Sequence, residues 1–238
     1  ALGFLEDNLT VGEFASVTEY VLCTREKANL PSLKKIIESC SIGPHRPIKI
    51  SGHHGDPSFR FSLTRRKPGT QRPKVVYITT ILIGSRQIYP PLLPDMVHLD
   101  WQLRVAEHLS RLHIDLNCRP HPEGLYPGGC HPLADIAPLS NDPLRQVMEE
   151  ADLFVHDYSR STAFWECLCT DKPVVFLSPN HDTFAPEVQA LIEDRCRFVE
   201  VEFDENNMPQ FDGELLTQAV LDDSKPVDSS AIRRILAG

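Results

Sequence analysis

Residues 151–177 read Ala151-Asp-Leu-Phe-Val-His-Asp-Tyr-Ser-Arg-Ser-Thr-Ala-Phe-Trp-Glu-Cys-Leu-Cys-Thr-Asp-Lys-Pro-Val-Val-Phe-Leu177, and this stretch decides the fold. A short apolar run, Leu153 to Val155, predicts a strand. The hydroxyl-rich turn that follows (Tyr158, Ser159, Ser161, Thr162) opens a helix, which ends before a second apolar run, Val174 to Leu177. The unit is therefore strand, turn, helix, strand, with hydroxyls where the helix begins. The first N–H groups of a helix have no partner inside it and carry partial positive charge, so such a turn suits an anion, phosphate above all. The same residue types also serve as ordinary helix caps, and Ser159 or Ser161 is read either way.

Working outward from that unit, strands alternate with helices from about Pro73 onward. Lys74 to Leu82 is apolar and β-branched. Val97 to His113 carries Leu99, Leu103, Ala106, Leu109 and Leu112 at helical spacing, and Ile114 to Cys118 is a short strand. A Pro- and Gly-rich loop (Pro120 to Pro143) leads to a helix from Leu144 to Ala151. Beyond the central unit come a helix from Pro186 to Asp194, a strand from Arg197 to Val201, a turn at Asn206 to Pro209 and a helix from Gly213 to Asp222. The alternation predicts an α/β fold, a Rossmann-like parallel sheet with helices on both faces, over residues 73–238. Residues 1–72 read as an incomplete N-terminal segment and linker. Val11 to Leu22 and Leu33 to Ser39 are expected to be helical, and Ser51 to Arg72 has no sustained period.

Composition bounds the function. The chain has 238 residues, 41% of them hydrophobic, enough for a substantial core. With 24 Lys and Arg against 33 Asp and Glu, its net charge of −9 argues against nucleic-acid partners. The one basic cluster, Arg60, Arg65, Arg66, Lys67 and Arg72, is interrupted by Pro68 and Gly69 and reads as a solvated linker. Seven scattered cysteines, an odd number, do not make a disulfide framework and fit a reducing, cytoplasmic setting. No apolar run approaches the roughly 20 residues needed to cross a bilayer, so any membrane association is expected to be peripheral. The start at Ala1 leaves open a processed chain or a fragment.

Arg119-Pro120-His121-Pro122-Glu123 directly follows the strand ending at Cys118. Ligands of doubly wound sheets bind beyond the carboxyl ends of the strands, so this loop and the one after His156 are expected to face one crevice. His121, held extended between prolines, can donate to a phosphate oxygen there. Cys118, His121, Cys130 and His131 were weighed as a zinc site, but the adjacent Cys130-His131 pair fits the usual ligand spacing poorly, and no metal is expected. Cys167 and Cys169 read as buried apolar residues of the helix.

Together, the Arg-Pro-His-Pro loop, Asp157-Tyr-Ser-Arg-Ser-Thr-Ala-Phe-Trp-Glu-Cys-Leu168 and Asp171-Lys-Pro-Val-Val-Phe-Leu177 resemble the C-terminal domain of GT-B glycosyltransferases that use cytidine nucleotides. The resemblance is nearest to the capsule and lipopolysaccharide Kdo transferases, with bacterial sialyltransferases and CDP-glycerol glycerophosphotransferases as wider kin, and covers about Lys74 to Asp222. It implies transfer of a sugar, Kdo or a related acid sugar, from a cytidine nucleotide to a bacterial surface polysaccharide or glycolipid. The nucleotide-sugar is then a substrate, and no separate cofactor is implied. It further implies that His121, Ser159, Ser161 and Thr162 hold the donor phosphate and Glu166 the ribose hydroxyls. The Lys-Pro strand is shared with many GT-B proteins and with sugar-nucleotide epimerases, so it speaks for the fold more than for the donor.

One departure matters: a GT-B enzyme closes its site with a second Rossmann-like domain, and residues 1–72 are too short for one. Either that domain was removed, or a partner chain supplies it, or the chain is a noncatalytic nucleotide-sugar-binding or assembly module; a sugar-nucleotide epimerase is the further alternative among enzymes, and the expected location is cytoplasmic, with any attachment peripheral to the inner membrane. Asp56, His53, His54 and Glu123 are candidate acid–base residues without a partner at diagnostic spacing, and the catalytic base stays unassigned.

Overall fold

The computed structural model describes residues 72–82, 93–122, 130–178, 184–224 and 226–237, together with 19–22, 31, 35, 49–52, 55, 59, 60 and 63. Two short strands, β1 (Glu19–Leu22) and β2 (Lys49–Gly52), pair in parallel. This corrects the expected helix over Val11 to Leu22 at its described end. The β-branched and aromatic content of Glu-Tyr-Val-Leu outweighs a helical pattern too short to be decisive.

The main sheet is built from β3 (Lys74–Ile78), β4 (Asp115–Arg119), β5 (Leu153–His156), β6 (Val174–Ser178), β7 (Arg197–Phe203) and β8 (Pro209–Phe211). Its lateral order is β4-β3-β5-β6-β7-β8, parallel except for the last pair, in which the short β8 runs antiparallel to β7. The helices of the sheet domain are, among the described residues, α1 (Asp95–Ser110), α2 (Leu144–Glu150), α3 (Thr162–Leu168), α4 (Pro186–Arg195), α5 (Gly213–Leu221) and α6 (Ser230–Leu236). The protein is thus α/β with a Rossmann-like parallel sheet. Counted from β3, its five parallel strands lie second-first-third-fourth-fifth, which is the flavodoxin-like order.

Alternation along the strands sorts the core into two layers. Val76, Ile78, Phe154, Val174 and Phe176 pack on one face with α2, α3, α4 and α6, where Val147, Phe164, Ile192 and Ile235 are buried. Val75, Tyr77, Val155, Val175 and Val199 pack on the other with α1 and α5, where Trp101, Val105, Leu109 and Leu216 are buried. Phe59 and Leu63 lie against the first layer, Leu63 accepts a backbone hydrogen bond from Asp171 at 3.0 Å, and Arg60 Nε donates to the Ala237 carbonyl at 3.1 Å. Phe59, Arg60 and Leu63 are therefore anchored to the sheet domain.

Buried cations fasten the amino-terminal side of the sheet. Lys172 is 1% exposed, and its Nζ donates to the carbonyls of Met148, Glu149 and Ala151 at 2.6, 2.9 and 2.6 Å, closing the carboxyl end of α2. Arg195 does the same for α3, reaching the carbonyls of Leu168 (2.9 Å), Thr170 (2.7 Å) and Lys172 (2.8 Å). Positive charge against the last carbonyls of a helix satisfies acceptors that have no partner within it. Among the described residues, no helix is long and apolar enough to cross a membrane.

Candidate functional site

The strand order reverses between β3 and β5, whose last paired residues are Ile78 and His156. Connections leave such a switch point in opposite directions and open a crevice at the carboxyl edge of the sheet. Beyond β3 the chain continues as Thr79 and Thr80, and beyond β5 as Asp157, Tyr158 and Ser159. β4 lies on the other side of β3, its Arg119 paired with Ile78, and His121 follows two residues later.

The loops carrying His121 and the hydroxyl turn therefore leave the same edge of the sheet, two strand spacings apart, about 9–10 Å, with Thr79 and Thr80 between them. His121 is half-buried. Ser161 is the N-cap of α3, its Oγ accepting from the Phe164 N–H at 3.3 Å, so the cap reading holds for this residue. Thr162 is the first helical residue and exposed, and Glu166, four residues on and partly exposed, lies on the same side of α3. Ser159 differs: it is fully buried, and in this conformation it offers a ligand no surface. Asp56, His53, His54 and Glu123 lie outside the described residues. The neighbouring Gly55 has a φ of 104°, a conformation that favours glycine.

Sequence reading missed the polar network at this switch point. Tyr77 OH donates to Asp157 Oδ2 at 2.7 Å, and His98 Nε2 stands 3.8 Å from the same oxygen. Burial, and then the Asp157 charge, push the Tyr77 hydroxyl well above its usual range, so it stays protonated and donates. Gln102, one turn beyond His98 on α1, donates through Nε2 to the Thr80 carbonyl at 3.4 Å. On the opposite face of β5, the His156 ring meets the Phe164 ring edge-on, with centroids 5.4 Å apart. Burial lowers its pKa to about 4, against a smaller opposing effect of Asp157, and the ring is neutral at pH 7. The available signal was Asp157 itself, a charged residue directly after four buried strand positions.

Two of the four candidate zinc residues, His131 and Cys118, have other structural roles. His131 is buried and accepts through Nδ1 from the Leu133 N–H at 3.2 Å, capping a short 3-10 turn at Pro132–Asp135. Cys118 is buried in the sheet, its thiol pushed up to about 12 by desolvation. Among the described residues no group of three or more His, Cys, Asp or Glu side chains is placed to hold a metal ion. Cys167 and Cys169 are free and buried, with Cys169 at the C-cap of α3 rather than inside the helix. A groove of about 690 Å³ lies toward the far edge of the sheet, between Glu193 of α4, Glu200 of β7 and Leu215 of α5. It is remote from the switch point and gathers none of the residues that the sequence singled out.

No protein-family model matches the chain, and no curated protein matches it. Among solved structures, the chain is similar to an imine reductase from Myxococcus stipitatus, a V8 variant in complex with NAD+. The identity is 15% and the TM-score 0.31, over 55% of this chain and 40% of that one. The likeness is a partial overlap, the chain spans less than half of the reductase's length, and the nicotinamide nucleotide is that protein's own ligand.

Proposed function

We propose that this chain is the donor-binding part of a glycosyltransferase, taking a cytidine nucleotide-sugar, with Kdo or a related acid sugar, for transfer to a bacterial surface polysaccharide or glycolipid. The observation that carries the reading is that His121 and the Ser161–Thr162 turn leave the same edge of a parallel sheet on either side of its switch-point strand. In this reading His121 and Thr162 donate to the phosphate oxygens, with the capped start of α3 beneath them. Glu166, one turn along the same side of α3, accepts from the ribose hydroxyls. Ser159 supports the turn from below. Fixed donors around the departing phosphate stabilise the charge that develops as the glycosidic bond breaks. The acceptor and the catalytic base come from a further domain or a partner chain.

The experiment is thermal unfolding of the chain with CMP, CDP, UDP and GDP, followed by calorimetry. A ligand that binds only the folded state raises the unfolding temperature with the logarithm of its saturation. Stabilisation by CMP or CDP above the other two is expected. Stabilisation by UDP alone removes the cytidine assignment, and no stabilisation by any of the four at millimolar concentration removes the nucleotide reading.

A further inference from the structure

Among the described residues, three hydrogen-bonding atoms at the switch point have no partner although they are closed to solvent: Thr79 Oγ1, Gln102 Oε1 and Asp157 Oδ1. Their residues are 4%, 0% and 3% exposed. A buried carboxylate oxygen without a donor is costly, and such groups are rare enough in native proteins to require a reason. The surroundings fix the carboxylate without satisfying it. Tyr77 holds Oδ2 at 2.7 Å, His98 stands beyond hydrogen-bond distance from that same oxygen, and Oδ1 is left over.

The three atoms belong to one place. Thr79 lies one residue past Ile78 and Asp157 one residue past His156, and Ile78 and His156 are paired in register, so the two residues follow neighbouring strand ends at the same level. By strand alternation Thr79 lies on the side of Tyr77, and Asp157 on the side of Val155, which is the α1 face of the sheet. Gln102 reaches the same spot from α1 through its bond to the Thr80 carbonyl. That bond, at 3.4 Å, is long, so Gln102 is the member that gives way most cheaply when something enters.

We infer that Thr79, Gln102 and Asp157 form a sugar subsite that receives the hydroxyl face of the transferred group. A carboxylate oxygen and an amide oxygen accept, and the threonine hydroxyl accepts or donates, so the set is matched to a ligand rich in O–H donors. The same set rejects anions: a phosphate or a sugar carboxylate here would meet Asp157 as a like charge. The subsite therefore also orients the substrate. The phosphate lies toward His121 and Thr162, the ribose lies along α3, and the sugar lies toward α1 with any acid group turned away from Asp157.

This inference rests on the nucleotide-sugar reading, and the test separates the two. Calorimetric titration of the chain with CDP and with CDP-glucose, whose sugar is uncharged and hydroxyl-rich, measures what the sugar adds. The wild-type chain is expected to bind CDP-glucose about tenfold more tightly than CDP. In Asp157→Asn, and independently in the near-isosteric Thr79→Val, that advantage is expected to fall to about twofold or less while CDP affinity stays unchanged. The inference is overturned if the two ligands bind the wild type alike, if the advantage survives in both variants, or if CDP and CDP-glucose weaken together. Failure of both ligands to bind removes the nucleotide reading and the inference with it.

Discussion

The ammonium group of Lys172 lies 2.6 Å from the carbonyl oxygen of Ala151, the last acceptor at the end of α2. A lysine immediately before a proline and an apolar strand was legible as a sequence pattern. The structure gives it work away from the switch point, since it closes α2 at the amino-terminal edge of the sheet. Lys172→Met keeps the apolar stem but strands three carbonyls. It is expected to destabilise the fold by about 2–4 kcal/mol while leaving nucleotide affinity, measured well below the melting transition, unchanged. Urea unfolding gives the first quantity and calorimetry the second. A change in affinity at unchanged stability would transfer Lys172 to the ligand.

Ser161 can be asked separately about its two roles. Ser161→Ala removes the cap on the Phe164 N–H and is expected to cost about 1 kcal/mol of stability. Ser161→Asp keeps the cap but places a charge where the phosphate is proposed to sit, so it should retain stability and lose nucleotide binding. If the Asp variant binds CMP or CDP as well as the wild type does, the turn is a cap and no more.

His156 makes the fold acid-sensitive. Its folded pKa of about 4 lies below the ordinary value of 6.5, so between those values the unfolded chain takes up a proton that the native ring refuses. Stability is complete above pH 6.5 and falls as the pH drops toward 4, by roughly 3 kcal/mol in all from this group. His131, also lowered by burial, adds a loss of the same sign. His156→Phe, which preserves the edge contact with Phe164, should flatten the acid limb of a urea-midpoint-versus-pH profile without abolishing it. An unchanged limb would show that His156 is not the group responsible.

Gly213 and His108 form a steric pair. A Cβ on Gly213 would stand 2.8 Å from His108 Cε1, and the ring is not free to swing because its Nε2 lies 2.9 Å from Thr217 Oγ1 and its edge meets Phe211. Gly213→Ala is therefore expected to destabilise by about 1–2 kcal/mol despite the better helix propensity of alanine. In His108→Ala the same substitution should be neutral or stabilising. A double-mutant cycle with no coupling between the two positions would contradict the packing described.

The β5–α3–β6 unit was legible because parallel strands buried on both faces are written as unbroken apolar runs, and because Ser161 marks the start of α3. Strand and helix ends fell within a few residues of the structure through most of the sheet domain. β8 was missed because three residues, Pro-Gln-Phe, carry no period. α6 was missed although Ile232, Ile235 and Leu236 are spaced for one helix face. The Asp157 network was beyond reach for a different reason. Nothing local tells Tyr77 that Asp157 will be its neighbour, because that follows only from β3 lying beside β5.

That adjacency also bears on how the protein comes to be folded. β5 pairs with β6 across 20 residues (Phe154 with Val174), whereas β3 pairs with β5 across 78 (Val75 with Leu153). The entropy lost in closing a loop grows with its length, so the β5–β6–β7 half can assemble from nearby segments while the β3–β5 seam waits on a distant one. The crevice lies on that seam. A chain with its β5–β6–β7 half formed and β3 undocked has native strands and helices but no switch point, so nucleotide capture during refolding, if the proposed function holds, reports the closing of the whole sheet.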